Sequence, residues 1–402
     1  MPSIESVTAR RILDSRGNPT LEVDLRAGAR GRAAAPSGAS TGTHEARAWP
    51  AGGVDESLRL LQTEVAPRVK GRDATDQEGL DRLLREIDGT PTFERIGGNL
   101  AVAVSLANAK AAALAAGQSL FRYLGGPEPS RLPLPMGNVV GGGRHAIGGT
   151  TIQEVLVVSQ SPSPSQNVFA NARVHRRVME LLANRFPSSP LGRGDEGAWV
   201  ARMDDEEAIA LVRDACREVE ADVAFPVRPA VDFAASEYYE DGSYRYRDRT
   251  ISRDDQIDFV EHLVKEYGLF AVEDPLDEED FEGFAEITKR VGPKCVVIGD
   301  DIFVTNAVRL RKGIDAGAAN AILIKPNQIG TLSETRATVD LARHAGYATV
   351  ISHRSGETTD ETIAHLAVAF GSLGLKSGTV GGERIAKLNE LIRIEEELHR
   401  GT

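Results

Sequence analysis

At 402 residues the chain is too long for one ordinary core, and two domains are expected. With 41% hydrophobic and 26% charged residues it reads as a globular protein, and its net charge of −12 argues against broad nucleic-acid binding, which requires a basic face. Two cysteines exclude a disulfide framework. No apolar run reaches about 18 residues, and the start Met-Pro-Ser-Ile-Glu-Ser-Val lacks a signal peptide's basic and apolar regions, so no membrane partner and a cytoplasmic location are expected.

In chain order, residues 3–13 and 20–27 alternate as strands do and flank the turn Asp14-Ser-Arg-Gly-Asn-Pro19. Residues 31–36 form a third candidate strand, followed by the small-residue loop Ser37-Gly-Ala-Ser-Thr-Gly42. Helices are predicted over 55–70, 76–86 and 99–116, the last rich in Ala and Leu. Strands followed by helices make an α+β unit of residues 1–125. The Pro- and Gly-dense stretch 125–135 links it to the remainder, 126–402. A helix is expected from about Gln166, and another over 384–398.

The second half carries a rhythm. Six short apolar runs end at Asp232, Glu273, Asp300, Lys325, Ser352-His353-Arg354 and Lys376, with intervals of 41, 27, 25, 27 and 24 residues. One strand, one helix and two loops take about that length, as in a βα barrel whose functional residues sit at the C-terminal strand ends.

A lone acid at a strand end is most often a helix N-cap. Three on successive strands repel unless a cation joins them, and Mg²⁺ prefers such oxygen ligands. Lys325, one strand beyond Asp300, is either its ion-pair partner or a base whose pKa is lowered by nearby positive charge and partial burial. Lys376 adds charge suited to a carboxylate. The loop Ser352-His353-Arg354-Ser355 gathers hydroxyls, imidazole and guanidinium suited to phosphate. Glu196 stands between Gly194-Asp195 and Gly197, where it has steric freedom; taken alone, this is an ordinary polar turn. Neither Gly141-Gly-Gly143 nor Gly148-Gly149 makes a nucleotide-binding motif, and no Cys/His spacing suggests zinc.

Together, and in order, the segments Asp14-Ser-Arg-Gly-Asn-Pro-Thr20, Pro36-Ser-Gly-Ala-Ser-Thr-Gly42, Gln153-Glu154, Gly194-Asp-Glu-Gly197, Glu273-Asp-Pro275, Gly299-Asp-Asp301, Leu323-Ile-Lys-Pro-Asn-Gln328 and Ser352-His-Arg-Ser-Gly-Glu-Thr358 resemble enolase, across essentially the whole chain. The resemblance implies an α/β protein: an α+β cap before an enolase-type (β/α)8 TIM barrel with an antiparallel second strand. It implies Mg²⁺-dependent dehydration of 2-phosphoglycerate to phosphoenolpyruvate, a hydro-lyase reaction of glycolysis. Asp232, Glu273 and Asp300 match the ligands of a first Mg²⁺, and Ser40 lies in the loop that helps bind a second, substrate-bridged one. Lys325 matches the base and Glu196 the acid, with Glu154 beside it. His145 and His353 match substrate-side histidines. Arg354 and Ser355 match the phosphate contacts and Lys376 the carboxylate contact, with Ser352 a further substrate-binding candidate. The expected partners are a small anionic phosphorylated substrate and a second copy of the chain, as a homodimer or higher homo-oligomer.

Some departures cluster near these motifs. Arg144 precedes His145 and Arg202 follows the Glu196 loop, where enolases carry uncharged residues. The segment from Lys376 to Arg384 is one residue shorter than the family pattern and lacks its Arg-Ser pair. Two added cations suit a substrate with a further anionic group, so the alternative is a paralogue running the same dehydration on a phosphonate or phosphinate, like carboxyphosphonoenolpyruvate synthase. A silent binding protein on the same scaffold ranks last, because no metal ligand and neither lysine is lost.

Overall fold

The computed structural model describes residues 1–38, 42–126 and 131–400; the predicted ligand Ser40 lies outside them. The N-terminal part is a three-stranded antiparallel sheet, β1 (Ser6–Leu13), β2 (Pro19–Ala27) and β3 (Ala29–Ala34), in that order. The Asp14 carboxylate closes the first hairpin by accepting from the N–H groups of Arg16 and Asn18, with Gly17 at φ +78°. Alternation on β2 buries Leu21, Val23, Leu25 and Ala27. Helix Gly98–Ala115 packs across β2 and β3, so closely that a Cβ on Gly31 would stand 1.9 Å from the Ala107 carbonyl oxygen. Among the described residues this helix alone is long and apolar enough to cross a membrane, and it is buried in the core.

The helix predicted over 55–70 is interrupted. Gly53–Leu60 and Ala66–Val69 are separated by a π-helical turn, Leu61–Val65. Pro67 has no N–H to give to the turn before it, so the regular ladder cannot pass through.

The second part is the predicted barrel. In chain order its strands are β4 (Leu134–Gly141), β5 (Glu154–Ser159), β6 (Val227–Asp232), β7 (Ala271–Glu273), β8 (Val296–Gly299), β9 (Ala321–Ile324), β10 (Ala348–Ser352) and β11 (Gly374–Lys376). Each pairs with the next, and β11 pairs back with β4 to close the ring. All neighbours are parallel except β5, which runs antiparallel to β4 and β6. The interior is filled by Met136, Leu156, Val158, Ala230, Ala271, Ile298, Ala321, Leu323 and Val350, a packed core with no channel. Glu273 and Glu154 both stand level with Asp232 at one rim. The reversal of β5 brings its first residue to the end where its parallel neighbours finish. The long interval before Glu273 holds a small three-stranded sheet, 239–252, ahead of helix Arg253–Tyr267. Both cysteines are buried, which pushes their thiols up.

The two parts are tied by paired backbone bonds between Ser37 and Gly356 and by a half-buried ion pair. Lys110 Nζ lies 3.0 Å from Glu361 Oε1 and 3.4 Å from Asp360 Oδ2. Burial raises the Asp360 carboxyl, but Lys110 and the bonds from Thr362 outweigh it, and the net shift is downward. A depressed acid stabilises above its unfolded pKa and is lost as pH falls through the folded one. Lys110→Met removes the counter-charge and is expected to cost about 2 kcal/mol at neutral pH by urea unfolding. The deficit should shrink as pH falls, because an unpaired Asp360 protonates earlier. A deficit independent of pH would mean that lost packing, not charge, is the cause.

Candidate active site

The strand ends set the site. Lys376 ends β11 and reaches inward, its Nζ 2.9 Å from Asp232 Oδ2, 2.8 Å from Glu273 Oε2 and 3.4 Å from Glu154 Oε1. Lys325, just past β9, bonds Asp300 Oδ2, while Gln328 Nε2 donates to Asp300 Oδ1 at 2.9 Å. Asp232 also accepts from Gln153 Nε2 at 3.3 Å. Asp300 is oriented from below: the Asp274 carboxylate accepts the backbone N–H groups of Asp300 and Asp301 at 2.9 and 2.8 Å.

One small cavity at this rim is lined by His145, Glu154, Glu196, Asp232, Lys325, Ser352, His353, Arg354, Ser355 and Lys376. Ten of the predicted residues therefore meet. Glu273 and Asp300 reach the same group through the two lysines. In the described part, closely grouped ligand atoms that could hold a metal are those of His145, Glu154 and Glu196, and of Asp274, Asp300 and Asp301.

The charges are not balanced by the lysines alone. Burial raises the Glu273 carboxyl well above its ordinary range, Asp232 adds to this, and Lys376 opposes it. Burial pulls Lys376 down, but Asp232, Glu154 and Glu273 more than reverse it and hold it firmly charged. Lys325 differs from the expectation of a lowered pKa. Burial does lower it, and Arg354 and Lys376 assist, yet Asp300 at contact distance outweighs them and the net shift is upward. Its basicity therefore depends on what else Asp300 binds.

In the same cavity, Glu196 sits in the turn Asp195–Gly197 at φ +64°, between glycines that the turn needs. A Cβ on Gly197 would stand 2.6 Å from the Val380 carbonyl oxygen, and one on Gly194 2.6 Å from that of His145. A non-glycine residue in this backbone region stores about 1 kcal/mol of strain. Glu196 Oε1 lies 3.2 Å from His353 Nε2 and 3.8 Å from His145 Nδ1, and Asn138 Nδ2 donates to its Oε2 at 3.2 Å. Burial opposes ionisation, but the hydrogen bond from the facing His353 and the charge of His145 overcome it and hold Glu196 below its usual range. Glu154 is pushed the other way, by burial and then by the Glu196 charge. Two neighbouring carboxyls with pKa values driven apart suit proton transfer at one face of a substrate.

Arg354 forms a two-pronged pair with Glu45, at 2.9 and 3.1 Å, and also donates to Asn327 Oδ1. Ser352 Oγ gives its proton to the His353 carbonyl. Sequence reasoning missed Glu45, Asn138, Asp274, Gln328 and Arg384. Of these, Glu45, Asp274 and Gln328 fall inside the quoted or adjacent motifs, the only signal available. Arg144 pairs with Glu237 on the exposed surface and Arg202 is exposed; neither lines the cavity. A second anion in this cavity therefore has no help from them.

The comparisons with known proteins agree along the whole chain. Residues 4–124 match the family description "Enolase, N-terminal domain", and residues 129–402 match "Enolase, C-terminal TIM barrel domain". The chain belongs to the enolase family. It is similar to the enolase of Methanothermobacter thermautotrophicus, 52% identical over 98% of this chain and 97% of the relative. It is 53% identical to that of Halorubrum lacusprofundi, over 99% of this chain and 100% of the relative. The enolase of Picrophilus torridus is 48% identical over 98% and 99%.

Proposed function

We propose that this enolase-family chain dehydrates 2-phosphoglycerate to phosphoenolpyruvate as a Mg²⁺-dependent hydro-lyase. The observation that carries the reading is the convergence in one cavity of Lys325 and Lys376, among rim carboxylates, with Glu196 and its partner His353. Lys325 is the base that takes the proton from C2. Lys376 stands where the substrate carboxylate gathers charge as that proton leaves. The departing hydroxyl on C3 is served by the Glu196–Glu154 pair; Glu196, expected as the acid, is held below its usual range in the free chain, and Glu154 is the partner pushed up toward holding the proton. Arg354 and Ser355 bind the phosphate, with Ser352 beside them and Arg354 released from Glu45 as the anion enters, while His145 stands on the substrate side next to Glu154 and Glu196.

The residues fit the metal. Asp232, Glu273 and Asp300 would hold one Mg²⁺; Ser40, expected at a second, lies outside the described residues. Glu154 Oε2 and Gln153 Oε1 are buried acceptors without a hydrogen-bond partner, as expected beside a hard cation. When bound, the metal stabilises negative charge developing on the substrate carboxylate.

We also place the boundary between cap and barrel at 125/126, and expect a cytoplasmic homodimer or higher homo-oligomer. The direct test follows phosphoenolpyruvate absorbance from 2-phosphoglycerate with and without Mg²⁺; no product with the metal present would reject the reading. Arg144→Ala with Arg202→Ala is expected to leave kcat/KM on this substrate within about threefold, because exposed charges contribute about 0–1 kcal/mol. A much larger loss, or a phosphono or phosphino analogue turned over a thousandfold better by the wild type, would favour the paralogue.

A further inference from the structure

After Lys376 the chain turns sharply and enters helix Gly382–Arg400, placing Arg384 in its first turn. Gly378 at φ +72° and Gly381 at φ +110° make that turn, and a Cβ on either would meet Arg384 Cγ, at 3.1 and 3.4 Å. The Arg384 side chain is fully buried. Its Nη1 donates to the Arg354 carbonyl at 2.6 Å, and its Nη2 to the Ser355 carbonyl at 2.6 Å. The same Nη1 lies 2.7 Å from His353 Nδ1, and Nε donates to Glu383 Oε1 at 3.1 Å.

A guanidinium has five N–H donors, no acceptor, and does not deprotonate in proteins. An imidazole nitrogen 2.7 Å from it must therefore present a lone pair. The ring proton is then on Nε2, which faces Glu196 Oε1 at 3.2 Å. We propose that Arg384 is a positioning residue: it fixes His353 as the neutral Nε2–H tautomer aimed at Glu196, and clamps the loop carrying Arg354 and Ser355. His353 so held is a hydrogen-bond donor that orients an ionised Glu196, not an imidazolium that supplies protons.

The surroundings agree. Burial leads in pushing His353 down to about 4; Arg384 acts in the same direction, while Glu196 and Glu357 oppose. Beyond Glu196 lie His145 and Glu154, which face that carboxylate from its other side. The use of the fixed ring rests on the proposed dehydration; the tautomer itself does not.

The test is ¹⁵N spectroscopy of the histidine-labelled full chain with Mg²⁺ and no substrate, which reads the ring whether or not the chain turns over 2-phosphoglycerate. His353 is picked out among the eight histidines by the signals lost in His353→Gln. The expected result is a bare Nδ1 and a protonated Nε2 that do not titrate between about pH 5 and 8. In Arg384→Lys and Arg384→Gln, His353 is expected to show mixed tautomers or to titrate in that range. A new inflection should appear in the pH profile of kcat/KM, with about a tenfold to hundredfold loss. A protonated Nδ1 in the wild type overturns the proposal. So does a folded Arg384→Lys or Arg384→Gln with the wild-type spectrum and pH profile. If neither variant folds, the wild-type spectrum decides.

Discussion

Lys325→Ala is expected to abolish solvent-deuterium exchange at C2 of 2-phosphoglycerate, with a loss of roughly 10²–10⁴ or more in turnover. The ammonium stands at the C-terminal end of β9, inside the cavity and bonded to Asp300. The backbone around it is independently held, since Lys325 N–H donates to Thr305 Oγ1 at 2.9 Å. Asp300 keeps its bond from Gln328, so the carboxylate stays in place when the lysine is truncated. Mg²⁺ affinity should therefore be little changed, which separates loss of the base from collapse of the site. Wild-type exchange in the mutant would remove Lys325 from the role.

Glu273→Gln is expected to weaken Mg²⁺ binding by at least about tenfold and to lower turnover with it, because affinity for a hard cation follows the charge of its ligands. Glu273 ends β7 level with Asp232, and both are bridged by Lys376. Gln preserves shape and one oxygen, so the change is almost purely one of charge. Asp300→Asn would be harder to interpret, since Asp300 also anchors Lys325 and Gln328. Titration calorimetry with Mg²⁺ measures the effect; an unchanged affinity would mean that Asp232 and Glu273 serve only to seat Lys376.

Much of the barrel was legible from residues alone. The runs ending at Asp232, Glu273, Asp300, Lys325, Ser352 and Lys376 are β6 to β11, because apolar strands at a βα interval report local periodicity, which the chain carries in itself. The first two strands were not visible in that rhythm. β4 and β5 are joined without a helix of ordinary length, and the two helices and turn that follow stretch the interval to β6. The cap's strands and its Ala-rich helix were legible for the same local reason, whereas the π-turn ahead of Pro67 was not read.

Charge pairing was decided elsewhere. The sequence by itself determined which chemical groups end the strands, and so the metal-and-lysine character of the site. Only the tertiary structure decided that Lys376 stands among Asp232, Glu273 and Glu154, that Lys325 pairs with Asp300, and that Arg144 turns outward to Glu237. It also decided that reversed β5 brings Glu154 to the rim and that Arg384 lies beneath the His353 loop. Strand periodicity is a property of neighbours along the chain. A pKa, a tautomer and an ion pair depend on burial and on charges brought within a few ångströms from segments tens or hundreds of residues away, and no spacing in the sequence encodes those distances.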